Sequence, residues 1–316
     1  MTDERFLVTG ALGCIGAWVV RNLVRAGARP VAFDMVNNPR RMRLIMTPEE
    51  LAQVTFVTGD ITDLGSVERA LDEHAISHVI HLAALQMPFC KADPSLGARV
   101  NVVGTVNLFQ ALALRREQIG RLVYASSVAV FDAADAGPEG LAPQTGVGTP
   151  TSLYGVYKQA NEGTARIFWQ DTGVSSIGLR PCVVYGPGRD QGRTSAPTLA
   201  MRAAAAGQPY RISFGGRTDY QYADDVAKMF IAAARAPFSG AEIFNLRGSV
   251  ATMDEMIAAI RAAVPEAQLD YDPAPLPFPE QYDADPLAAL IGPLPITPLH
   301  QAVAETVAVF RSATGE

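Results

Sequence analysis

Charge and cysteine are both scarce in this chain. Charged residues occupy 18% of the 316 positions without long runs of one sign, and the balance is negative at −6. Proteins that hold nucleic acid regardless of sequence neutralise phosphates with clustered Lys and Arg, and no such stripe is present. No nucleic-acid partner is expected. Three cysteines, Cys14, Cys90 and Cys182, form neither a CxxC pair nor an even disulfide framework, which points to a reducing compartment. Four histidines, His74, His78, His81 and His300, share no metal-ligand spacing, so no metal site is expected. No apolar run reaches the length of a membrane span. The start, MTDERFLVTG, has neither the basic end nor the long apolar run of a secretory signal. A cytoplasmic protein without a membrane partner is the expectation.

What is abundant is apolar material, 48% of the residues, enough for a sizeable core. Strand-like runs over 6–9, 30–33, 54–58, 78–82, 122–125 and 176–179 alternate with helical candidates at 15–26, 63–74, 94–117 and 153–172. That alternation is the pattern of βαβ units. It predicts an α/β fold, a doubly wound parallel sheet of the Rossmann type, with its ligand site at the carboxyl ends of the strands. After Arg180 glycine and proline become frequent and helices shorten to about 195–207, 224–235 and 252–263. This reads as two domains: 1–180 for nucleotide binding and 181–316 as a smaller substrate-binding domain, with some segments free to return to the sheet. A last helix is predicted from Thr297, as N-cap, with Pro298 at its first position.

The strongest local signal is Val8 to Gly16, VTGALGCIG, which follows a strand and opens an amphipathic helix. Gly10 permits the tight turn, Gly13 lets the backbone approach a pyrophosphate, and Gly16 allows the helix to pack closely. The pyrophosphate then sits on the helix N-terminus. Asp34 ends the second strand about twenty residues on, where a carboxylate bonds both ribose hydroxyls and repels a 2′-phosphate. NAD is therefore favoured over NADP, although Arg40, Arg41 and Arg43 lie close in sequence. Asp60 and Ile61 fall beside the expected adenine, and Ala83 and Ala84 leave room for the backbone to touch the cofactor.

YGVYK places Tyr154 and Lys158 four residues apart, on one face of a predicted helix. A phenol with a pKa near 10 is a poor base at neutral pH. A cation about 4 Å away at an effective dielectric of about 20 favours its phenolate by up to about 4 kcal/mol, or some three pKa units. Tyr157 has Asn161 at the same spacing and is the weaker candidate. Ser126 and Ser127 end the fifth strand on the same sheet edge, and Ser127 is the choice for polarising a substrate oxygen.

Taken in order, these motifs resemble the extended short-chain dehydrogenase/reductase superfamily, which contains the NAD-dependent epimerase/dehydratase family. The resemblance runs through Thr9 to Gly16, Asp34, Asp60, His81 to Ala84, Asn101 to Thr105, Ser126 and Ser127, Tyr154 to Lys158, Arg180 to Gly188, and Asp224 to Ala227. It implies NAD held by Gly10, Gly13, Cys14, Ile15, Gly16, Asp34, Asp60, Ile61, Leu82, Ala83, Ala84 and Asn101 together with Tyr154 and Lys158. It further implies Tyr154 as acid/base, Lys158 on the nicotinamide ribose and the tyrosine, Ser127 on the substrate oxygen, and a homodimer through the helices around 94–117 and 153–172.

The departures from the family pattern bear on substrate. The related dehydratases carry Asp-Glu after the active-site hydroxyl residue, where this chain has Val128 and Ala129. The nucleotide-sugar enzymes commonly place Asn near the position of Cys182, Val183 and Val184, and Arg where this chain has Thr218, one residue after Arg217. The sequence therefore reads as an NAD-dependent dehydrogenase that oxidises a secondary alcohol of a small polar substrate: a sugar, sugar acid or hydroxy acid. Gln86, Ser126, Ser127, Tyr185 and Arg217 are the expected substrate contacts, with Met87, Phe89 and Tyr222 as further candidates. The competing reading is an epimerase that acts on a nucleotide sugar through a keto intermediate.

Overall fold

The computed structural model describes residues 4–314; the first three and last two residues of the expected domains lie outside that range. Ten of the fourteen strands among the described residues frame the site. They are β1 (Arg5–Thr9), β2 (Arg29–Asp34), β3 (Thr55–Thr58), β4 (His78–His81), β5 (Leu122–Ala125), β6 (Ser176–Arg180), β7 (Val183–Tyr185), β8 (Arg217–Tyr222), β9 (Ala241–Asn245) and β10 (Ser249–Thr252). The central sheet has seven strands in the order β9-β6-β5-β4-β1-β2-β3, and every neighbouring pair is parallel. Order reverses between β1 and β4, so the crevice of a doubly wound sheet opens above these two strands. Strands covered on both faces are buried along their length: four of five residues of β1 and all five of β6 are buried, with apolar cores at Phe6–Val8 and Ile177–Leu179.

The helices among the described residues include α1 (Cys14–Arg25), α2 (Leu64–Glu73), α3 (Gly104–Ala113), α4 (Leu153–Thr172), α5 (Ala223–Arg235), α6 (Met253–Ala263) and α7 (Leu299–Thr314). Helix α1 turns Trp18, Val19, Val20 and Leu23 inward and packs on α5. It stops at Gly27, whose φ of 75° lies in the left-handed region that closes a helix. One core face joins Phe6, Val8 and Trp18 to Met201, Phe230, Ile260 and Phe310. The other gathers Leu7, Phe33, Leu71, Leu108, Leu112 and Tyr124. The chain after Arg180 thus shares a core with the sheet rather than building one alone. It also returns to the sheet, because β9 pairs along β6 from Ala241 to Asn245. A smaller sheet, β10-β8-β7, forms beside the main one.

Two expectations change here. The helix read over 94–117 is interrupted: Pro94–Ala98 is helical, Arg99–Val103 winds with π geometry, and α3 follows. The carbonyl of Asn101 accepts both Thr105 Oγ1 (2.8 Å) and Asn161 Nδ2 (2.9 Å), and these side-chain donors account for the widened turn. Thr297 does not cap the last helix. Its amide and hydroxyl both donate to the Asp225 carboxylate, at 2.6 and 3.0 Å, while the amides of Gln301 and Ala302 find the carbonyl of Pro298.

Candidate active site

The strand ends open into a cleft of about 600 Å³. Its floor is the glycine turn. Gly10 has a φ of 67°, and a Cβ there would fall 2.5 Å from Ala83 N, so the turn tolerates no side chain. At Gly16 a Cβ would lie 2.3 Å from Gly10 O, closing the helix against the turn. Gly13 is different. A Cβ would meet only Gly10 O, at 3.0 Å, and the backbone otherwise faces the cleft. As N-cap of α1, Gly13 gives that helix no side-chain cap, which leaves first-turn amides for an outside anion. This cradle fits a pyrophosphate.

Gly10, Gly13, Cys14, Ile15, Gly16, Asp34, Ile61, Leu82, Ala83, Ala84, Tyr154 and Lys158 all line the cleft. Asp34 accepts Leu12 N at 3.0 Å and Met35 N at 2.9 Å, which orients its carboxylate at the mouth. Two expected cofactor contacts are elsewhere. Asp60 accepts Thr62 N at 2.8 Å and is absent from the cleft wall. Asn101 is buried beneath it, accepting Leu85 N (2.7 Å) and donating to Leu85 O (2.9 Å), so it holds the loop after β4 rather than facing the cleft. His81 sits between Thr9 (2.6 Å) and Thr105 (3.1 Å). Burial lowers it to about 3, and it is neutral at physiological pH.

Tyr154 and Lys158 share one wall with Ser126 and Ser127. Lys158 Nζ donates to Ala125 O at 2.7 Å and stands 5.6 Å from the centre of the Tyr154 ring. Burial brings its ammonium down to about 8. Tyr154 departs from the electrostatic expectation. Burial is the largest influence and raises its phenol; the Ser127 hydroxyl bond and the Arg189 charge pull the other way without prevailing. Desolvation here outweighs the Arg189 cation and the Ser127 bond together. Ser127 Oγ also accepts Ala129 N at 3.1 Å. Ser126 Oγ donates to Glu162 Oε1 at 2.5 Å, and Glu162 is held by Arg180 through two bonds of 2.7 Å.

Among the expected substrate contacts, Gln86, Ser126 and Ser127 line the cleft, as does Met87. Tyr185 does not. It is fully buried, its ring 6.4 Å from Tyr220 and 5.8 Å from Tyr222, so it packs the core. Tyr222 is buried with it. Arg217 also lies outside the cleft wall, exposed at the start of β8 and 3.5 Å from Glu280. Phe89 is exposed and not part of the wall.

Sequence reasoning missed the segment that closes the cleft, Gly188 to Thr194. Arg189 Nη2 donates to Thr194 Oγ1 at 2.8 Å, and Arg189 Nη1 lies 3.2 Å from the side-chain amide of Gln86. The Arg189 Nε is buried without a partner. Asp190 binds Arg40 and Arg41. The only signal was the Arg-Asp pair directly after YGPG. Phe278, from the proline-rich stretch, completes the wall.

A parallel sheet with a glycine cradle at its switch point and a Tyr/Lys pair beside the cleft defines an NAD-dependent enzyme of the Rossmann type. The profile described as NAD dependent epimerase/dehydratase family matches residues 6–246, and the chain belongs to that family. It is an NAD-dependent epimerase or dehydrogenase of the extended short-chain type. The UDP-glucose 4-epimerase of Mycolicibacterium smegmatis is 30% identical to it over 318 positions, covering 98% of this chain and 99% of that protein. The structure of a Thermus thermophilus UDP-glucose 4-epimerase in complex with NAD aligns at a TM-score of 0.82, with 28% identity and coverage of 98% and 100%. An L-threonine dehydrogenase of Cupriavidus necator, in its holo form, aligns at 0.84, covering 96% of this chain and 99% of its own; at 24% identity that likeness concerns the fold alone. Against a UDP-glucuronate 4-epimerase of Arabidopsis thaliana the match spans 53% of the relative's length.

Proposed function

We propose that the protein is a dehydrogenase that oxidises a secondary alcohol of a small polar substrate, with a sugar acid or hydroxy acid as the favoured class. NAD, when bound along the cradle, supplies the acceptor for the hydride. Tyr154 takes the hydroxyl proton, Ser127 holds the substrate oxygen, and Lys158 fixes the tyrosine and the nicotinamide ribose. Gly10, Gly13 to Gly16, Asp34 and the backbone at Leu82 to Ala84 hold the dinucleotide.

The observation that carries the substrate class is the seam at Cys182. Its Sγ lies 3.9 Å from Thr218 Oγ1 and 3.7 Å from Tyr282 Oη, and Thr218 is 3% exposed. A buried diphosphate needs charge-assisted donors, since desolvating it without partners costs several kcal/mol. The seam offers none, and Arg217 is turned toward Glu280. Among the cations that line the cleft, Arg189 is the one whose charge acts on Tyr154. A carboxylate on a small substrate is a fitting partner for that guanidinium. The epimerase reading keeps one observation in its favour, the full-length likeness to a UDP-glucose 4-epimerase.

NADH formation at 340 nm, screened against sugar acids and hydroxy acids, tests the proposal beside a product assay with UDP- and GDP-sugars. Arg189→Ala is expected to raise KM for an acidic substrate by about 10–100-fold, the loss of one charge-assisted contact, while Arg217→Ala leaves it unchanged. Epimerised nucleotide sugar without net NADH would reject the dehydrogenase.

A homodimer is proposed through the face that carries Leu96, Val103, Leu153, Val156 and Ile167, all exposed on neighbouring helices. Such a clustered apolar face is characteristic of an interface. Light scattering should return twice the chain mass, and a monomer that persists at high micromolar concentration would refute it.

A further inference from the structure

We infer that Asp190, contributed by the segment that closes the cleft, sets the preference for NAD over NADP by occupying the two arginines nearest Asp34. The two arginines stand beside that carboxylate. Asp34 Oδ2 accepts Leu12 N at 3.0 Å, and the carbonyl of the same Leu12 accepts Arg41 Nη1 at 2.9 Å. One residue therefore links the Asp34 carboxylate to the Arg41 guanidinium. Arg40 and Arg41 line the cleft together with Asp34, Met35 and Asn38.

A guanidinium is the side chain best matched to a phosphate monoester, because its fork of donors meets two oxygens at once. Two of them at this end of the cleft would ordinarily form a 2′-phosphate site and offset the repulsion from Asp34. Asp190 removes that option. Its Oδ1 accepts Arg41 Nε (3.1 Å) and Nη2 (2.7 Å), and its Oδ2 lies 2.7 Å from Arg40 Nη2. Arg41 is the more enclosed partner, with 17% of its side chain exposed against 55% for Arg40, so its pairing is the less screened. With Nη1 on Leu12 and the rest of its fork on Asp190, Arg41 has no edge left for a phosphate. A 2′-phosphate then meets two carboxylates and two neutralised cations, whereas a ribose hydroxyl meets only the Asp34 acceptor.

Asp190 acts through the arginines, so it is a positioning residue, and the readout is a ratio of affinities rather than an activity. The inference holds whichever substrate the enzyme takes. Dissociation constants for NAD and NADP are measured by titration calorimetry on the purified full chain and three variants. Asp190→Asn keeps the shape and removes the charge. It is expected to shift the ratio of the NADP constant to the NAD constant by about tenfold or more toward NADP. Asp190→Glu retains the pairing and should keep the ratio within about twofold. Adding Arg41→Ala to Asp190→Asn should cancel most of the shift. If Asp190 merely holds the closing segment in place, both constants weaken by the same factor and the ratio stays put. That result overturns the inference, as does a shift toward NADP that survives Arg41→Ala.

Discussion

Replacing Tyr154 by Phe is expected to lower turnover by about 10²–10⁴-fold while NAD affinity stays within about twofold of the native value. The substitution deletes one hydroxyl and keeps a ring that packs between Ser127 and Lys158. The direction of the phenol's shift gives a sharper version. In the free protein burial raises the Tyr154 pKa, so at neutral pH the group carries its proton and cannot accept another. Oxidation of an alcohol therefore requires that cofactor binding lower it, and a positive nicotinamide ring has the right sign to do so. Ultraviolet difference titration of the native protein against Tyr154→Phe should place the phenol above 10 without NAD and lower with it. The rate of alcohol oxidation should rise with pH as the phenolate forms. Lys158, at about 8, loses its own charge over part of the same range, which blunts the rise on the alkaline side. Undiminished turnover in Tyr154→Phe would move the acid/base role to another residue.

Arg180→Ala is expected to cost about 3–5 kcal/mol of folding stability, because it strands a buried carboxylate. Arg180 and Glu162 are joined by two bonds of 2.7 Å, with 3% and 9% of their side chains exposed. The arginine also lies over the Phe131 ring at 4.7 Å and reaches Asn245 at 3.4 Å. Removing it leaves Glu162 bonded only to Ser126. The double replacement Arg180→Met, Glu162→Leu should recover a large part of the loss, since charge and counter-charge leave together. Urea unfolding midpoints of the three proteins decide this, and a double variant as unstable as Arg180→Ala would show that packing, not the stranded charge, sets the loss. Turnover should fall in the double variant, because Glu162 fixes Ser126, the neighbour of Ser127.

What the sequence showed and what it hid follow from how local each signal was. The six strands from Phe6 to Leu179 were legible as apolar runs bounded by turn residues, and α4 matches its expected span because YGVYK and a terminal Gly173 mark its ends. Tyr154, Lys158 and the glycine turn each sit within one short motif. Glu162 and Arg180 are 18 residues apart on different elements, and nothing in either neighbourhood announces the pair. Residues 188–194 have no hydrophobic period, so a segment that walls the cleft read as a connection. Tyr185 and Arg217 were misplaced for a subtler reason. Both lie on strands of the small sheet, where successive side chains face opposite ways, and without the register there was no means to tell the cleft side from the core side. Asn101 was found as a motif residue but given the wrong duty: it shapes the loop after β4 from beneath.

The strand that completes the main sheet comes from far along the chain. Until Ala241–Asn245 has been synthesised, β6 has a partner on one side only, and its other margin presents unpaired amides and carbonyls. During translation that margin is a template for whatever extended segment arrives first, including one from another nascent chain. The register it must wait for is long range, so assembly of the nucleotide-binding half is tied to the late half of the polypeptide. Sequence order and spatial order part company here, and a late strand finishes the sheet that the early ones begin.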